Sequence, residues 1–156
     1  MTIIKLKTVI NAPIEKCFDL ARNIDLHQQS TEKTKERAVA GKTSGLIEKG
    51  NFVTWEAIHF GIKQRLTVSI VEMNYPYYFN DKMVKGAFKE MNHSHFFEFE
   101  QGKTLMRDEF TYQTPFGILG AIFDKLILRT YMEKFLIERN RILKNVAESN
   151  ESNLII

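Results

Sequence analysis

The chain is poor in the residues that cross-link, anchor or decorate a protein. Its 156 residues include one cysteine, Cys17, which excludes an internal disulfide and any zinc site built on cysteines. Cys17 stands among apolar neighbours in a helical pattern and reads as a small buried hydrophobe rather than a reactive thiol. No apolar run reaches about 18 residues, so no membrane span is expected. Lysine and arginine alternate with aspartate and glutamate around a net charge of +3. That leaves no clustered basic patch of the kind nucleic acid requires. The N-terminal MTIIKLKTVI alternates like a strand and lacks the apolar core and cleavage site of a signal peptide, so a cytoplasmic protein is expected. AGKTSG has the flavour of a phosphate-binding loop, but Glu36 stands where that motif needs its first glycine and no helical pattern follows. There are no internal repeats, no obvious nucleophile and no cofactor motif. No cofactor, metal or catalytic residue is therefore assigned.

What is plentiful is phenylalanine. Twelve in a chain of this length furnish core, and rigid rings also line open space without collapsing into it. A chain of this size can bury roughly 70% of its unfolded surface, and one domain is expected over residues 1–148, with SNESNLII (149–156) as a flexible tail. Ile3 to Ile10 reads as a strand ended by Asn-Ala-Pro. Pro13 suits the first turn of a helix bearing Ile14, Cys17, Phe18 and Ala21, and a second short helix fits Ile24 to Gln28. Residues 29–50 are polar and glycine-punctuated, with a short strand at Arg37–Ala40.

From Asn51 onward, pairing assigns the faces. Phe60-Gly61 is a two-residue hairpin turn. Folding about it sets His59 opposite Ile62, Ala57 opposite Gln64, Trp55 opposite Leu66 and Val53 opposite Val68. The other face then pairs Glu56 with Arg65 and Thr54 with Thr67, which supports this register. The first set points inward. Tyr77, Phe79, Asp81 and Met83 share a face, as do Met91, His93, His95, Phe97 and Phe99. Gln101-Gly102 turns the chain again, and Met106, Asp108, Phe110 and Tyr112 follow inward; a two-residue turn sets Asp108 opposite His95, and a one-step change of loop length would set it opposite Phe97. Asp81 is expected to pair with Lys89 across its hairpin. After TPFGILG, Leu128, Met132, Phe135, Leu136, Arg139, Ile142, Leu143 and Val146 recur at helical period. A helix of about 28 residues would span roughly 42 Å. Arg139 is expected at the edge of that stripe, its stem buried and its head in water. The order of strand, two short helices, six strands and long helix is α+β.

At these residues the chain resembles a known group. INAPIEKCFDLARN, HFGIKQRLT, Phe79 and Asp81 as F-x-D, GAF at 86–88, His93 and His95 as H-x-H, and PFG at 115–117 resemble the bacterial ligand-binding members of the SRPBCC superfamily. That superfamily is also called START-like or helix-grip. The resemblance covers residues 1 to about 147. It implies a curved seven-stranded antiparallel sheet wrapped around a long C-terminal helix, with a deep hydrophobic cavity between them. The superfamily includes lipid carriers, polyketide aromatase/cyclases, plant hormone and allergen proteins, and chaperone cofactors, so fold alone does not settle function.

The expected cavity wall comprises Trp55, His59, Gln64, Leu66, Phe79, Met91, His93, His95, Phe97, Asp108, Phe110, Tyr112, Leu128 and Met132. His59, Gln64, His93, His95, Asp108 and Asp81 give it a polar floor. Such a floor can satisfy itself within the core, orient a ligand in an apolar pocket, or perform acid–base or metal chemistry. The expected partner is a small hydrophobic or amphipathic molecule, such as a lipid, isoprenoid or polyketide-like compound, with the protein acting as carrier or sensor. The alternatives are a cyclase or dehydratase using His95 and Asp108, and a protein-interaction module. Oligomeric state is left open.

Overall fold

The computed structural model describes residues 1–149. Of the expected tail 149–156, all but Ser149 lies outside the described residues. The element order is β1 (Thr2–Ile10), α1 (Ile14–Ala21), α2 (Ile24–Ser30), a 3-10 turn at Glu32–Thr34, β2 (Arg37–Gly41), β3 (Phe52–His59), β4 (Ile62–Asn74), β5 (Tyr78–Lys85), β6 (Glu90–Glu100) and β7 (Lys103–Gln113). A final helical run comprises α3 (Gly117–Phe123), a π-helical turn (Asp124–Leu128) and α4 (Arg129–Glu148). The strands form one antiparallel sheet in the order β1-β7-β6-β5-β4-β3-β2. This is the α+β helix-grip architecture.

Local chemistry explains the registers. Phe60-Gly61 and Gln101-Gly102 each place two consecutive residues at positive φ (53° and 72°, 54° and 75°), the two-residue turn whose twist matches paired strands. Across the first, Trp55 faces Leu66 and Glu56 faces Arg65. Across the second, His95 faces Asp108. Thr54 and Thr67 share a hydroxyl hydrogen bond of 2.8 Å. Asn23 caps α2 by accepting from the Leu26 N–H at 2.9 Å.

Two expectations are corrected here. Asp81 pairs with His93, not Lys89, because β5 and β6 are joined by a longer connection than a tight hairpin. The slip is four residues, an even number, so every side chain keeps its face while changing its partner. The C-terminal helical run is also longer than expected: it begins inside TPFGILG, at Gly117, and continues for 32 residues. Only glycine fits at position 120, since a Cβ there would come within 1.8 Å of the Pro115 carbonyl oxygen.

The core joins β1, α1 and α2 to the inner face of the sheet and to α4, whose Met132, Leu136, Leu143 and Ala147 are buried. Leu136→Asp would bury an unpaired carboxylate there and is expected to cost on the order of 3 kcal/mol or more. Urea unfolding checks this, with Ile137→Asp on the exposed face remaining close to wild type.

Candidate functional site

The inner face of the sheet and the C-terminal helical run enclose a cavity of about 540 Å³. Its wall is mostly apolar, including Val53, Trp55, Ala57, Leu66, Val68, Ile70, Phe79, Met91, Phe110, Leu128, Met132, Phe135 and Leu136. Of the residues expected there, Trp55, His59, Gln64, Leu66, Phe79, Met91, His93, His95, Phe110, Leu128 and Met132 all line it. Three do not. Phe97 packs into solid core beneath α1, its ring centroid 5.2 Å from that of Phe18. Tyr112 turns its hydroxyl onto the Asp124 carboxylate, which also accepts from Thr2; burial and that carboxylate push the phenol pKa up. Asp108 sits behind the imidazoles, 2% exposed.

The polar residues form one connected network. Asp108 Oδ1 lies 2.9 Å from His93 Nε2, and its Oδ2 accepts from the Asn140 amide at 2.6 Å. His95 Nε2 lies 3.0 Å from Asp81 Oδ2. Its Nδ1 comes within 3.0 Å of Asp108 Oδ1 but is poorly aligned and makes no hydrogen bond. We read this contact as charge pairing without a formed bond. Arg139 is fully engaged as well, with Nη1 at 3.9 Å from Asp108 and Nη2 donating to the Ala21 carbonyl at 3.4 Å. Its expected place at the stripe's edge is therefore corrected: the whole side chain is buried, because an anion waits for it inside. The expected Asp81–Lys89 pair gives way in the same manner to Asp81–His95.

Electrostatics assigns the protons. Burial opposes ionisation of both carboxylates, but the imidazoles beside them outweigh it, holding Asp81 below and Asp108 well below the usual carboxylate range. Burial likewise opposes charge on His95, yet the close Asp108 carboxylate and the hydrogen bond to Asp81 raise its pKa. His93 has the opposite fate: burial and repulsion from His95 pull it down to about 4. With His95 raised and His93 lowered, a proton shared by the pair resides on His95, and an imidazolium there with the Arg139 guanidinium would balance the two carboxylates. Neutral His93 donates from Nε2 to Asp108, which leaves Nδ1 an acceptor without a partner among the described residues.

Elsewhere on the wall, burial lowers the His59 pKa, and its Nδ1 lies 2.7 Å from the Tyr131 hydroxyl. Trp55 stacks on His27 at 4.1 Å. Sequence reasoning missed Tyr131, His27 and Asn140. Asn140 stands four residues beyond Leu136 and three before Leu143, so helical spacing alone could have placed it on the buried stripe. Asp81, His93 and His95 offer donor atoms within 4.8 Å of one another. For a cation to use them, His95 would have to lose its proton and the Asp81 contact would have to open. Any acid–base chemistry by His95 with Asp108 would reach the cavity only through the imidazole, since Asp108 is not on the wall.

No family model matches the chain, and no curated protein matches it. Solved structures do. A protein from Thermus thermophilus aligns with TM-score 0.75 at 19% identity, over 92% of this chain and 95% of that one. Ginseng major latex-like protein 151 from Panax ginseng aligns with TM-score 0.69 at 15% identity, over 95% and 98%. A START superfamily protein from Mycobacterium smegmatis aligns with TM-score 0.69 at 12% identity, over 94% and 97%. At these identities the likeness establishes the fold, which is START-like. Among the described residues no helix is long and apolar enough to cross a membrane.

The network has a signed pH dependence. His93 binds a proton near pH 6.5 when unfolded but only near pH 4 when folded, so its contribution is lost as pH falls through that window, by about 3 kcal/mol at most. His95 has a raised folded pKa, and its contribution is lost as pH rises through that value. Denaturant unfolding at stepped pH should show stability falling below about pH 6.5, and His93→Gln should flatten that fall. Asp108→Asn removes the anion that favours the imidazolium, so the His95 pKa measured by NMR should drop.

Proposed function

We propose that the protein binds a small hydrophobic or amphipathic molecule in the cavity between sheet and C-terminal helix, as a carrier or sensor. The observation that supports this best is the cavity itself: about 540 Å³, the volume class of small-molecule sites, with apolar walls and a few convergent polar groups. The START-like fold supports the same reading at the level of architecture. The ligand would lie along Trp55, Leu66, Phe79, Met91, Phe110, Leu128 and Met132. Its polar end would meet His93, with Gln64 and His59 as further hydrogen-bonding groups. A charge-balanced network favours a neutral ligand head over an anion. The unpartnered Nδ1 of His93 would accept from a hydroxyl or amide N–H.

Trp55 is the sole tryptophan and is 7% exposed, so its emission reports on the cavity. Fatty acids, isoprenoid quinone analogues and flat aromatic compounds can each be titrated against it. At least one class is expected to give a saturable shift, and hydroxyl-bearing members should bind several-fold tighter than their methyl ethers. Ala57→Phe fills the wall at a position 5% exposed and should abolish the shift in a still-folded protein. A panel without saturable response, together with no co-purifying small molecule by native mass spectrometry, would count against the carrier reading.

A further inference from the structure

The start of the C-terminal helical run is amphipathic in the wrong sense for a helix facing water. Gly120, Asp124 and Leu128, spaced four apart, are buried. The outward stripe is Ile118, Ile122 and Leu126, flanked by Leu119, Phe123 and Ile127. Ile118 is 81%, Leu119 76% and Leu126 71% exposed. Phe116, just before the helix, is 83% exposed and is held at φ 68°, ψ 26°. That left-handed backbone is costly for a bulky aromatic residue. So strain and exposure coincide at one ring, and the apolar patch is contiguous rather than scattered.

Two further observations give the patch a direction and a charge. Phe60, Phe116, Leu119 and Phe123 are exposed and also line the cavity, so the cavity reaches the surface here. The Phe60 ring lies 5.7 Å from Phe123, which joins the β3–β4 turn to the helix. The β5–β6 connection adjoins the same region, with the Lys89 N–H donating to Gln113 at 2.8 Å and Ala87 and Phe88 on the cavity wall. Around the patch, Lys85, Lys89, Lys125 and Arg129 are exposed, and none is in an ion pair among the described residues. Glu90 is the only exposed acidic residue within 85–90 and there is none within 116–129, while Glu133 stands exposed one turn beyond Arg129.

We propose that this surface, the α3 segment with the β3–β4 and β5–β6 turns beside it, docks on an anionic lipid bilayer. Apolar side chains enter the headgroup boundary while lysines pair with lipid phosphates, the pattern of an interfacial helix. A second copy of this chain fits less well, because symmetric pairing through the patch brings two basic rims together. Docking here sets the cavity's apolar rim against the hydrocarbon, so a hydrophobic ligand enters without crossing water. The docking step goes beyond the cavity reading and is tested without any cavity ligand.

Co-sedimentation uses vesicles of pure phosphatidylcholine and vesicles of two parts phosphatidylcholine to one part phosphatidylglycerol. Wild-type protein should bind the mixed vesicles at least roughly tenfold better than the neutral ones, and added salt should erase that difference. The exposed pair Ile118→Asp with Leu126→Asp should abolish binding to both. Lys85→Glu with Lys125→Glu should weaken binding to the mixed vesicles only. Unchanged urea midpoints would show that both double variants stay folded. Wild-type protein that binds neither vesicle, or double variants that bind as well as wild type, would overturn the proposal. A concentration-dependent dimer that Ile118→Asp with Leu126→Asp disperses, without vesicle binding, would replace the bilayer by a second copy. Trp55 titration in vesicle-free solution decides the cavity reading separately.

Discussion

Charge balance around Asp108 is the constraint on which the inner wall depends. A carboxylate 2% exposed is tolerable only if opposite charge and hydrogen bonds replace its water. The replacements come from different parts of the chain: His93 and His95 from β6, Arg139 and Asn140 from α4. Asp81 on β5 completes the set through His95. The network therefore sets the height of α4 above the sheet, and through the Arg139 contact with Ala21 it sets α1 as well. It also puts two imidazoles, 3.9 Å apart, in different protonation states. One proton on the pair balances the charge, whereas two would leave an excess cation in a dry site.

The fold was legible in the sequence wherever two-residue turns and alternation acted together. Phe60-Gly61 and Gln101-Gly102 leave the strands no freedom of register, and cross-strand partners such as Glu56 and Arg65 agree with the turn. Legibility failed where a longer connection intervened. Between β5 and β6 the face of Asp81 could be read but its partner could not, because alternation is blind to a slip by an even number of residues. Alternation also gives face without depth. Phe97, Phe79 and Met91 all point inward, but Phe97 lies under the Phe18 ring and becomes core, while the others border open space. Which inward residues line the cavity depends on where α1 and the C-terminal helical run cover the sheet. That is a tertiary matter.

The same limit explains Arg139. On a helical wheel a charged residue at the edge of an apolar stripe belongs in water, and most such residues stay there. Here the buried Asp108 carboxylate, 3.9 Å from the guanidinium, offsets part of the cost of bringing it inside. That offset cannot be read from the helix alone, because the anion lies on a strand 31 residues earlier. Asp108 was identified as inward and Arg139 as near the stripe. What was missing was the rule that connects them: two inward carboxylates need two inward cations.

One continuous helical run thus carries opposite departures from ordinary patterning. Toward its C-terminal half, Arg139 and Asn140 are buried. At its start, Ile118, Leu119, Ile122 and Leu126 face out. Arg139 lies sixteen residues beyond Phe123, roughly 24 Å along the axis, so the two departures occupy separate stretches of the helix beside one cavity. Each is unfavourable locally: the buried Arg139 and Asn140 position α4 through Asp108 while Leu128, Leu136 and Leu143 supply its apolar contact, and the outward stripe takes no part in closing the sheet. A fold with only ~5–15 kcal/mol in hand keeps such conflicts chiefly where they serve something other than stability. The cavity between them is walled by aliphatic side chains together with the rings of Trp55, Phe79, Phe110 and Phe135. The sequence therefore places its irregularities along one line, from a charge-balanced interior to an apolar surface. That gradient is what the proposed binding of an amphipathic molecule would use.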